Sequence, residues 1–422
     1  MRIWVVTNAE PMPTDPGAPR LLRSGVVARM MAARGHDVVW WNANVDHTAR
    51  RRRFERSTRL ELEPRLAAWC LDGRLYARNV GLQRILSNRD VAAEFRRVAA
   101  GEAPPDAILV SYPLIELVRD AAAVGHARGA AVVADIRDLW PDVWVEWAPA
   151  PLRPLARVAA APFYRQAAAA LRAVDAVFGA SDPLIDRALA IAARRRGPDD
   201  TAYPMAYPAP DYPADALDAA RGRWDRMLGP RDGRLVCCFF GNISARANVE
   251  VVARAAAALP AAARGRILFV LCGAGPSEPA LRAMTAALPN VVTPGWVDGA
   301  GIHALMERAD VGLLPYASRP DLSATLPNKF AEYLSAGLPV VASLGGVAGA
   351  LIEETGCGER YAESDAADLA RALVALGDDP ERLAARRSAA RAVFDARLRA
   401  ETVYGRMIDH VERLARARRG GA

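Results

Sequence analysis

A lysine and a glutamate lie on the opening turns of a predicted helix in the segment LPNKFAEYLSAGLPVVAS, Leu326 to Ser343. Pro327 suits the first turn of that helix, because the N–H group that proline lacks would have no partner there. A helix N-terminus offers free N–H groups and the positive end of the helix dipole to an anion, usually phosphate. Lys329 adds a full positive charge, and Glu332 follows about one turn later as an acceptor for sugar hydroxyls. The segment is therefore predicted to bind a nucleoside diphosphate, which carries both phosphate and ribose.

The end of this helix is also marked in the sequence. Gly337 suits the left-handed residue that closes a helix, and Pro339 follows because it cannot continue one. Pro339 to Ala342 is a short apolar run rich in β-branched residues, which predicts a buried strand. The helix that carries the charged residues is therefore expected to lie directly before a strand of a sheet.

A second predicted strand ends in the run FFGN at 239–242, where Gly241 lets the backbone approach a ligand closely. Arg246 follows shortly after. We expect Arg246 and Lys329 to form a cationic clamp on a leaving diphosphate, because prepositioned cations stabilise developing negative charge. Two plainer interpretations stay open, namely Arg246 as an exposed loop residue and Glu332 as a solvated residue on an amphipathic helix.

Two carboxylates flank an arginine in the run DIRD at 135–138, which follows another predicted buried strand. Asp138 is predicted to orient an acceptor hydroxyl or to stabilise an oxocarbenium-like centre, by analogy with glycoside chemistry. The alternative is that Asp138 caps the short helix that follows. Trp140, Trp144 and Trp147 come next at helical spacing, and they fit a core, a sugar-stacking face or a membrane-interface belt.

Metal chemistry is not expected, because the five histidines are scattered without ligand spacing. The sequence has neither a nucleophile elbow nor a Walker loop. The site is therefore predicted to work without a cofactor or a metal ion.

The elements that must position these residues alternate between strand and helix, which predicts an α/β fold with doubly wound parallel sheets. The predicted strands are Arg2–Asn8, Asp37–Asn42, Ala107–Ser111, Ala130–Asp135 and Ala176–Ala180, followed after a restart by Leu235–Gly241, Ile267–Gly273, Val311–Pro315 and Pro339–Ser343. A first helix is predicted at Arg20–Arg34. The proline-rich stretch Thr201–Pro213 is predicted to link two domains. Since ligands bind beyond the carboxyl ends of parallel strands, two such sheets that face each other would form a cleft.

Composition sets outer limits on the protein. A chain of 422 residues suits two domains better than one core. It has 52% hydrophobic and 24% charged residues, as in an ordinary globular protein, and no apolar stretch suggests a transmembrane helix or a signal peptide. Of the five cysteines, Cys237, Cys238 and Cys272 fall within predicted buried strands, where a free cysteine behaves as a small apolar residue, and reduced thiols fit a cytosolic protein best. The net charge of +7 comes mainly from arginine, and no nucleic-acid-binding signature accompanies it.

The sequence resembles the retaining glycosyltransferases of family 4, nucleotide-sugar enzymes with the GT-B fold. The segment 326–343 carries this resemblance together with FFGN at 239–242, ADVGLLPY at 309–316 and VVADIRDLWP at 132–141. The last of these is similar to members that build bacterial surface polysaccharides. The resemblance implies an acceptor-binding Rossmann-like domain at residues 1–205, a donor-binding one at 206–390, a deep cleft between them, and a last helix at 391–422 that crosses back.

The resemblance also implies roles for individual residues. Catalytic roles fall to Asp138, Arg246 and Lys329. The donor-binding residues would be Gly241, Asn242, Gly273, Trp296, Asn328 and Glu332, with Trp296 at the base unless it serves in packing. The acceptor side would include Arg23, Arg137 and Trp140, with Gly17 and Arg20 as further candidates. The family usually carries a second glutamate that touches the donor sugar; here that position is Ala324, and Asn328 or Ser323 would have to substitute.

We therefore expect a hexosyl- or N-acetylhexosaminyl-transferase that takes a UDP- or GDP-sugar, retains its anomeric configuration, and acts on a saccharide or polyprenyl-linked acceptor. It would serve cell-surface polysaccharide synthesis, lipopolysaccharide included, in the cytoplasm. Two rivals stay open. One is a nucleotide-sugar epimerase on the same fold, and the other is a non-catalytic partner subunit, which Ala324 favours.

The stretch Pro151–Val174 bears on where the protein works. It contains four arginines and no acidic residue, and such a basic amphipathic segment can lie in the headgroup plane of an anionic leaflet. The alternative is an ordinary helix packed on its own domain. Basic residues also cluster at Arg50–Arg53 and Arg413–Arg419, where solvated helix faces are the plain explanation.

Overall fold

The computed structural model describes residues 1–16, 20–46, 50–76, 81–208 and 211–420. The chain forms two compact units. Unit 1 comprises Met1–Pro204 and Val403–Ala422, and unit 2 comprises Met205–Thr402. Gly17, one of the acceptor-side candidates, lies outside the described residues.

Unit 1 is built on an eight-stranded sheet with the order β10-β9-β8-β7-β1-β2-β6-β5. Every neighbouring pair is parallel except β5 and β6, which form an antiparallel edge hairpin. Two short strands, β3 and β4, pair apart from it. The strands are β1 (Arg2–Val6), β2 (Asp37–Ala43), β3 (Val45–Asp46), β4 (Arg51–Arg52), β5 (Thr58–Glu63), β6 (Leu66–Leu71), β7 (Ala107–Tyr112), β8 (Ala131–Ile136), β9 (Ala176–Gly179) and β10 (Thr201–Ala202).

Unit 2 is built on a six-stranded, wholly parallel sheet with the order β13-β12-β11-β14-β15-β16. Its strands are β11 (Leu235–Phe240), β12 (Ile267–Cys272), β13 (Val291–Gly295), β14 (Val311–Leu314), β15 (Val340–Ala342) and β16 (Gly358–Arg360). Strand order reverses between β11 and β14, since the chain first builds β12 and β13 on one side and then β14 on the other. Loops on the two sides of such a reversal diverge and leave a crevice at the carboxyl edge.

The helices cover both sheets. In chain order they are α1 (Arg23–Ala33), α2 (Leu82–Ala99), α3 (Ile115–His126), α4 (Asp142–Trp147), α5 (Arg153–Arg172), α6 (Asp182–Ala192), α7 (Ala214–Leu228), α8 (Glu250–Ala258), α9 (Ala261–Arg264), α10 (Glu278–Thr285), α11 (Gly299–Arg308), α12 (Pro320–Ser323), α13 (Asn328–Ser335), α14 (Gly346–Thr355), α15 (Ala366–Asp378), α16 (Pro380–Val393) and α17 (Ala400–Gly420). A short 3₁₀ helix spans Ala150–Leu152, and a π-helical turn spans Phe394–Leu398.

Apolar side chains fill the space between each sheet and its helices. In unit 1, Trp41 is the centre of an aromatic cluster, with its ring centroid 4.9 Å from that of Trp4 and 4.9 Å from that of Phe95 on α2. In unit 2, Cys237, Cys238 and Cys272 are buried in the strands as free thiols. The prediction that these cysteines behave as small apolar residues is confirmed, and burial raises the pKa of Cys272 to about 12.

The sequence-based prediction of a linker at Thr201–Pro213 was wrong at its start. Thr201 and Ala202 form β10 and pair in parallel with β9, so they belong to the unit 1 sheet. Tyr203 and Tyr207 are buried, as linker residues rarely are. In the described part of the chain, none of the helices combines the length and apolar character that crossing a bilayer requires.

Candidate functional site

Lys329 lies across Gly241 at the crevice of unit 2. Gly241 directly follows β11 and has a φ of +138°, and a Cβ at this position would lie 2.4 Å from Lys329 Cε and 2.6 Å from Nζ. Only a residue without a side chain leaves this space to the lysine. Because β11 borders the point where strand order reverses, the ammonium is placed where open parallel sheets bind their ligands.

The partners of the Lys329 ammonium are neutral. Nζ donates a hydrogen bond to the Tyr316 hydroxyl over 2.6 Å, and it lies 5.4 Å from the ring centroid of Phe239 and 5.3 Å from that of Tyr316. Within the described residues no carboxylate comes within the 4.0 Å that defines an ion pair with Nζ. A cation held by a hydroxyl and two aromatic rings keeps its charge available for an anionic ligand.

Helix α13 begins one residue later than the sequence predicts. Pro327 is the N-cap, with ψ of 145°, and Asn328 is the first helical residue. The helix starts later because the backbone of Pro327 is extended and not helical. The N–H groups of Asn328 and Lys329 therefore belong to the first turn and have no partner within the helix. The N-cap side chain makes no hydrogen bond to them, so these groups and Lys329 present one positive end.

The end of α13 follows the prediction. Gly337 has a φ of +68°. Its N–H donates to the carbonyl of Leu334, and the N–H of Leu338 donates to the carbonyl of Tyr333. This pair of bonds is the Schellman motif, which terminates a helix at a left-handed glycine.

Tyr333 holds α13 against the sheet and thereby positions Lys329. A Cβ on Gly312 of β14 would lie 2.3 Å from the Tyr333 ring, so the strand needs glycine there for the ring to pack. The fully buried Tyr333 hydroxyl lies 3.2 Å from the carbonyl oxygen of Cys238 and 3.3 Å from that of Leu313. The lysine therefore projects from a helix that is clamped to two adjacent strands.

Glu332 lies on α13 one turn beyond Asn328, and it is only 4% exposed. This burial rules out the interpretation of Glu332 as a solvated residue on an amphipathic helix. Burial is compatible with a carboxylate only where its oxygens have partners, and Glu332 has an interaction within the protein. Asn328 at the helix start is exposed.

Arg246 is an exposed loop residue that has an acidic partner. Its guanidinium forms an ion pair with Asp321 at 2.6 Å, and Asp321 is buried and also paired with Arg319. Half of the Arg246 side chain stays exposed. The clamp of Arg246 and Lys329 on a leaving diphosphate stays a prediction. Asp321, which the sequence analysis did not consider, would compete with the diphosphate for Arg246.

Two further loops meet at this edge of the sheet. The N–H of Gly273 donates to the carbonyl of Gly295 over 2.7 Å, and a Cβ on Gly273 would lie 1.8 Å from the carbonyl oxygen of Gly241. A Cβ on Gly275 would lie 2.4 Å from Asn242 Oδ1. The glycines are therefore required for the close packing of the loops after β11 and β12.

Trp296 follows β13 and is 70% exposed. The alternative that Trp296 serves in packing is therefore wrong, and its ring is available to a ligand. Ala324, which the resemblance places where a donor-sugar glutamate is expected, is buried, and Ser323 beside it is partly buried. A Cβ on Gly346 would come 2.0 Å from the Ser323 carbonyl oxygen, so the start of α14 packs tightly on this turn.

In unit 1, Asp135 at the end of β8 is the centre of a buried ion network. Arg23 binds both carboxylate oxygens, each over 2.9 Å, and Arg137 Nε donates to Oδ2 over 2.8 Å. Arg137 also pairs with Glu10 and donates to the Ser24 hydroxyl. Burial alone raises the pKa of the Asp135 carboxyl, but Arg23 and Arg137 outweigh it and hold that pKa below its usual value.

The network changes how the acceptor-side candidates are interpreted. Arg23 is buried, and it donates to the carbonyl oxygen of Tyr203 over 2.6 Å as well as to Asp135. Arg23 is therefore a structural residue that ties α1 to β8, whereas Arg137 keeps part of its side chain exposed. Trp140 is partly buried, with its ring centroid 4.6 Å from that of Trp144.

Asp138 does not cap the helix that follows it. Helix α4 begins at Asp142 with Pro141 as its N-cap, and Asp138 Oδ1 instead accepts from the N–H of Leu139 over 2.8 Å. The capping interpretation was wrong because a turn from Leu139 to Pro141 separates Asp138 from the helix. The partly exposed carboxylate stays a candidate for catalysis.

Sequence reasoning missed several residues of the site, notably Tyr316 and Asp321 in unit 2 and Glu10 in unit 1. Polar residues of these types are common in loops, and nothing in their spacing indicates their partners. One signal was available, however. Lys329 is the single lysine of the sequence, in which lysine and arginine together number 55. All the other residues in that count are arginines, so a lysine at this one position indicates a site that needs the compact charge of an ammonium group.

A metal centre has no support in the described ranges, where no three histidine, cysteine, aspartate or glutamate side chains come together as metal ligands would.

The segment 234–379, which contains Gly241 and Lys329, matches the family model described as "Glycosyl transferases group 1". This match shows that the segment, about a third of the chain, is similar to group 1 glycosyltransferase domains. The chain is also 31% identical over 115 residues to a putative teichuronic acid biosynthesis glycosyltransferase, TuaH, from Bacillus subtilis (strain 168). That alignment spans 27% of this chain and 28% of TuaH.

Solved structures resemble the whole chain. Sucrose-phosphate synthase from Thermosynechococcus elongatus aligns with a TM-score of 0.74 and 17% identity, covering 99% of both chains. HepE from Anabaena in complex with UDP aligns with a TM-score of 0.66 and 14% identity, covering 98% of this chain and 100% of HepE. HepE has also been solved in complex with UDP-glucose. The predicted GT-B fold is confirmed by these similarities, which at such identities establish the fold alone.

Proposed function

We propose that this protein is a retaining glycosyltransferase that moves a sugar from a nucleoside diphosphate sugar to a saccharide or lipid-linked acceptor in the synthesis of a surface polysaccharide. The observation that carries the proposal is the position of Lys329. Its ammonium lies over Gly241 at the N-terminus of α13, and its partners among the described residues are neutral. A diphosphate needs a fixed cation and helix N–H groups of this kind.

The donor is proposed to be a UDP-sugar bound by unit 2. HepE, which has the same fold, is described in complexes with UDP and UDP-glucose. Trp296, exposed beside β13, offers a ring on which a base can stack, and the buried Glu332 carboxylate can accept bonds from ribose hydroxyls. Unit 1 is proposed to bind the acceptor through Arg137, Asp138 and Trp140, and the similarity to TuaH supports a polysaccharide acceptor.

In the proposed reaction the bond between the anomeric carbon and the diphosphate oxygen breaks, and a bond from that carbon to an acceptor oxygen forms on the same face. The diphosphate leaves with the electron pair of the broken bond, and an oxygen of the leaving diphosphate takes up the proton that the acceptor hydroxyl loses. Lys329 and the α13 N–H groups meet the new charge on the diphosphate. Lys329 and these N–H groups would supply the positive charge that a metal ion could otherwise provide. We therefore expect glycosyl transfer to persist in excess EDTA, which removes metal ions.

The single lysine makes a direct test possible. Reductive methylation with ¹³C-formaldehyde, in a version whose tag contains no lysine, should produce one ε-dimethylamine NMR signal, from Lys329. UDP should shift that signal and leave the signal of the α-amine unchanged. If saturating UDP leaves the Lys329 signal in place, the proposed phosphate site is wrong.

Incubation with donor alone separates the proposed transferase from its rivals. A transferase should hydrolyse UDP-sugar slowly and release UDP, whereas an epimerase would interconvert free donors without releasing UDP. A partner subunit would do neither. Mass spectrometry of lipid-linked glycans in a deletion strain would then identify the acceptor.

Glu332→Gln should weaken UDP and uridine binding by about 1.5–3 kcal/mol, because the ribose hydroxyls lose a charged acceptor. It should spare binding of inorganic pyrophosphate, which has no ribose. Calorimetry with all three ligands measures this, with thermal unfolding as a check on the buried position. Equal losses for uridine and pyrophosphate would place Glu332 away from the ribose.

Asp138→Asn should lower kcat with little change in donor Kd, because the predicted role of Asp138 belongs to the reacting centre and not to donor binding. Steady-state rates with acceptor, set beside UDP affinity, measure the difference. Asp186→Asn, an exposed carboxylate on α6 that pairs only loosely with Arg196 over 3.4 Å, is the matched control. Unchanged turnover in Asp138→Asn would reduce Asp138 to a turn residue that binds the Leu139 N–H.

A further inference from the structure

Helix α5 of unit 1 has one face packed against its own unit. Ala160, Ala167, Ala170 and Leu171 are buried, and the helix lies against α3, α4 and α6. Small alanine side chains suit this close packing. The interpretation of the segment as an ordinary helix packed on its own domain is therefore correct for this inner face.

The outer face of α5 is apolar as well. Leu155 is 68% exposed and Val158 is 71% exposed, and Leu152 and Trp147 just before the helix are also exposed. Within the described residues eight large hydrophobic side chains are exposed, and four of them are these. Such residues usually occur singly on a surface, so their concentration in one short segment indicates a contact surface.

The spacing places these residues on one stripe. Leu155, Val158 and Pro162 follow each other at i, i+3 and i+7, and all three are exposed. An ordinary surface helix turns its polar residues to solvent on this side. Helix α5 differs, because its buried side is mostly alanine and the aliphatic residues Leu155 and Val158 are exposed along with its arginines.

Exposed arginines lie along α5, and two of them, Arg153 and Arg157, lie in its first two turns, which are exposed on nearly all sides. Arg153, Arg157 and Arg165 are exposed, and in the part of the chain that the structure describes no carboxylate forms an ion pair with any of them. The sequence contains no acidic residue from Trp147 to Val174. Their charge is therefore uncompensated.

The other two arginine clusters behave differently. In the first cluster Arg52 pairs with Asp72, and Arg53 pairs with Asp15. The arginines of the last cluster are all paired, Arg413 with Asp199, Arg416 with Glu412, Arg418 with Asp175 and Arg419 with Asp106. The contrast shows that arginine content alone does not explain the open charges on α5.

We propose that the exposed segment 147–165, which runs from the end of α4 through the 3₁₀ helix into α5, docks on an anionic lipid bilayer through Trp147, Leu152, Leu155 and Val158 with Arg153, Arg157 and Arg165. Aliphatic side chains and a tryptophan enter the headgroup region, while arginines beside them contact lipid phosphates. Charge selects the lipid surface over a second copy of this chain, since a symmetric pairing would bring the same unpaired arginines together. The inference stands independently of the proposed glycosyl transfer.

Flotation with vesicles tests the proposal. The protein should float with vesicles of phosphatidylglycerol and phosphatidylcholine, float little with phosphatidylcholine alone, and float less as salt rises. Arg153→Glu/Arg157→Glu should lower the partition coefficient about tenfold or more. Leu155→Ser/Val158→Ser should lower it by a similar factor on vesicles of the same charge.

Helix α7 offers a matched control, because Arg226 and Met227 are likewise an exposed arginine and an exposed apolar residue. Arg226→Glu/Met227→Ser should leave flotation unchanged. The substituted positions on α5 are exposed. All variants should therefore have the same melting temperature and the same UDP affinity as the wild type.

Three outcomes would overturn the proposal. One is absence from anionic vesicles at low salt, and another is an equal loss in the α7 control, which would indicate nonspecific charge attraction. The third is a dimer in light scattering that Leu155→Ser/Val158→Ser abolishes, because this would assign the face to a second copy of the chain.

Discussion

Asp135→Asn is expected to lower the free energy of unfolding of unit 1 by about 3–5 kcal/mol, because it leaves the buried Arg23 guanidinium without its counter-charge. Asp135 is fully buried, and both of its oxygens accept from Arg23. Urea unfolding followed by tryptophan fluorescence is a suitable measurement. Seven of the nine tryptophans lie in unit 1, so the signal reports mainly on that unit.

Asp37→Asn is the matched control for this measurement. Asp37 pairs with Arg65 at 2.8 Å, with both side chains more than half exposed, and exposed pairs contribute little. Its expected change is below about 1 kcal/mol. Equal changes in the two variants would show that the Asp135 network adds no more than a surface ion pair.

The Asp135 carboxylate also predicts how the stability of the protein changes at acidic pH. The pKa of Asp135 in the folded protein lies below its usual value, so its contribution is complete above the unfolded pKa of about 4. That contribution is lost as pH falls through the lower folded pKa. The stability of Asp135→Asn should therefore depend less on pH in this acidic range than that of the wild type.

Lys329→Ala is expected to weaken UDP binding by about 1.5–3 kcal/mol, the value of a hydrogen bond to a charged group. It should lower turnover by about 10²–10³, because the cation also meets the charge that develops on the leaving diphosphate. Calorimetry and initial rates measure the two effects. Folding should be unaffected, since among the described residues the one hydrogen bond from Nζ goes to the Tyr316 hydroxyl.

Two companion variants sharpen the Lys329 test. Arg371→Ala removes an exposed arginine of α15 that pairs with Asp368, and it should change neither quantity. Lys329→Arg keeps the charge but places a larger planar group over Gly241, so we expect it to recover only part of the affinity. Unchanged UDP affinity in Lys329→Ala would remove the phosphate site from this helix.

Strands buried on both sides were predictable because they read as continuous apolar runs, such as LVCCFF at Leu235–Phe240. The edge hairpin of Thr58–Glu63 with Leu66–Leu71 was not foreseen. Its first strand, TRLELE, alternates exposed and part-buried positions, and its mixed polar sequence resembles a loop. Short edge strands such as Gly358–Arg360 escaped for a similar reason, since their pairing partner is distant in the sequence.

The sequence alone determined the local chemistry of this protein. The positions of proline and glycine predicted both ends of α13 to within a residue. The apolar runs predicted the strands of the parallel sheets. Both predictions succeed because helix termination and strand formation depend on residues that are neighbours in the chain. Only the tertiary structure decided which charged side chains are neutralised by an ion pair. Arg23 meets Asp135 across 112 residues, and Arg246 meets Asp321. Lys329, by contrast, contacts neutral groups over Gly241 wherever the structure describes its neighbours. Ion pairing depends on distance in space, which spacing along the chain does not encode.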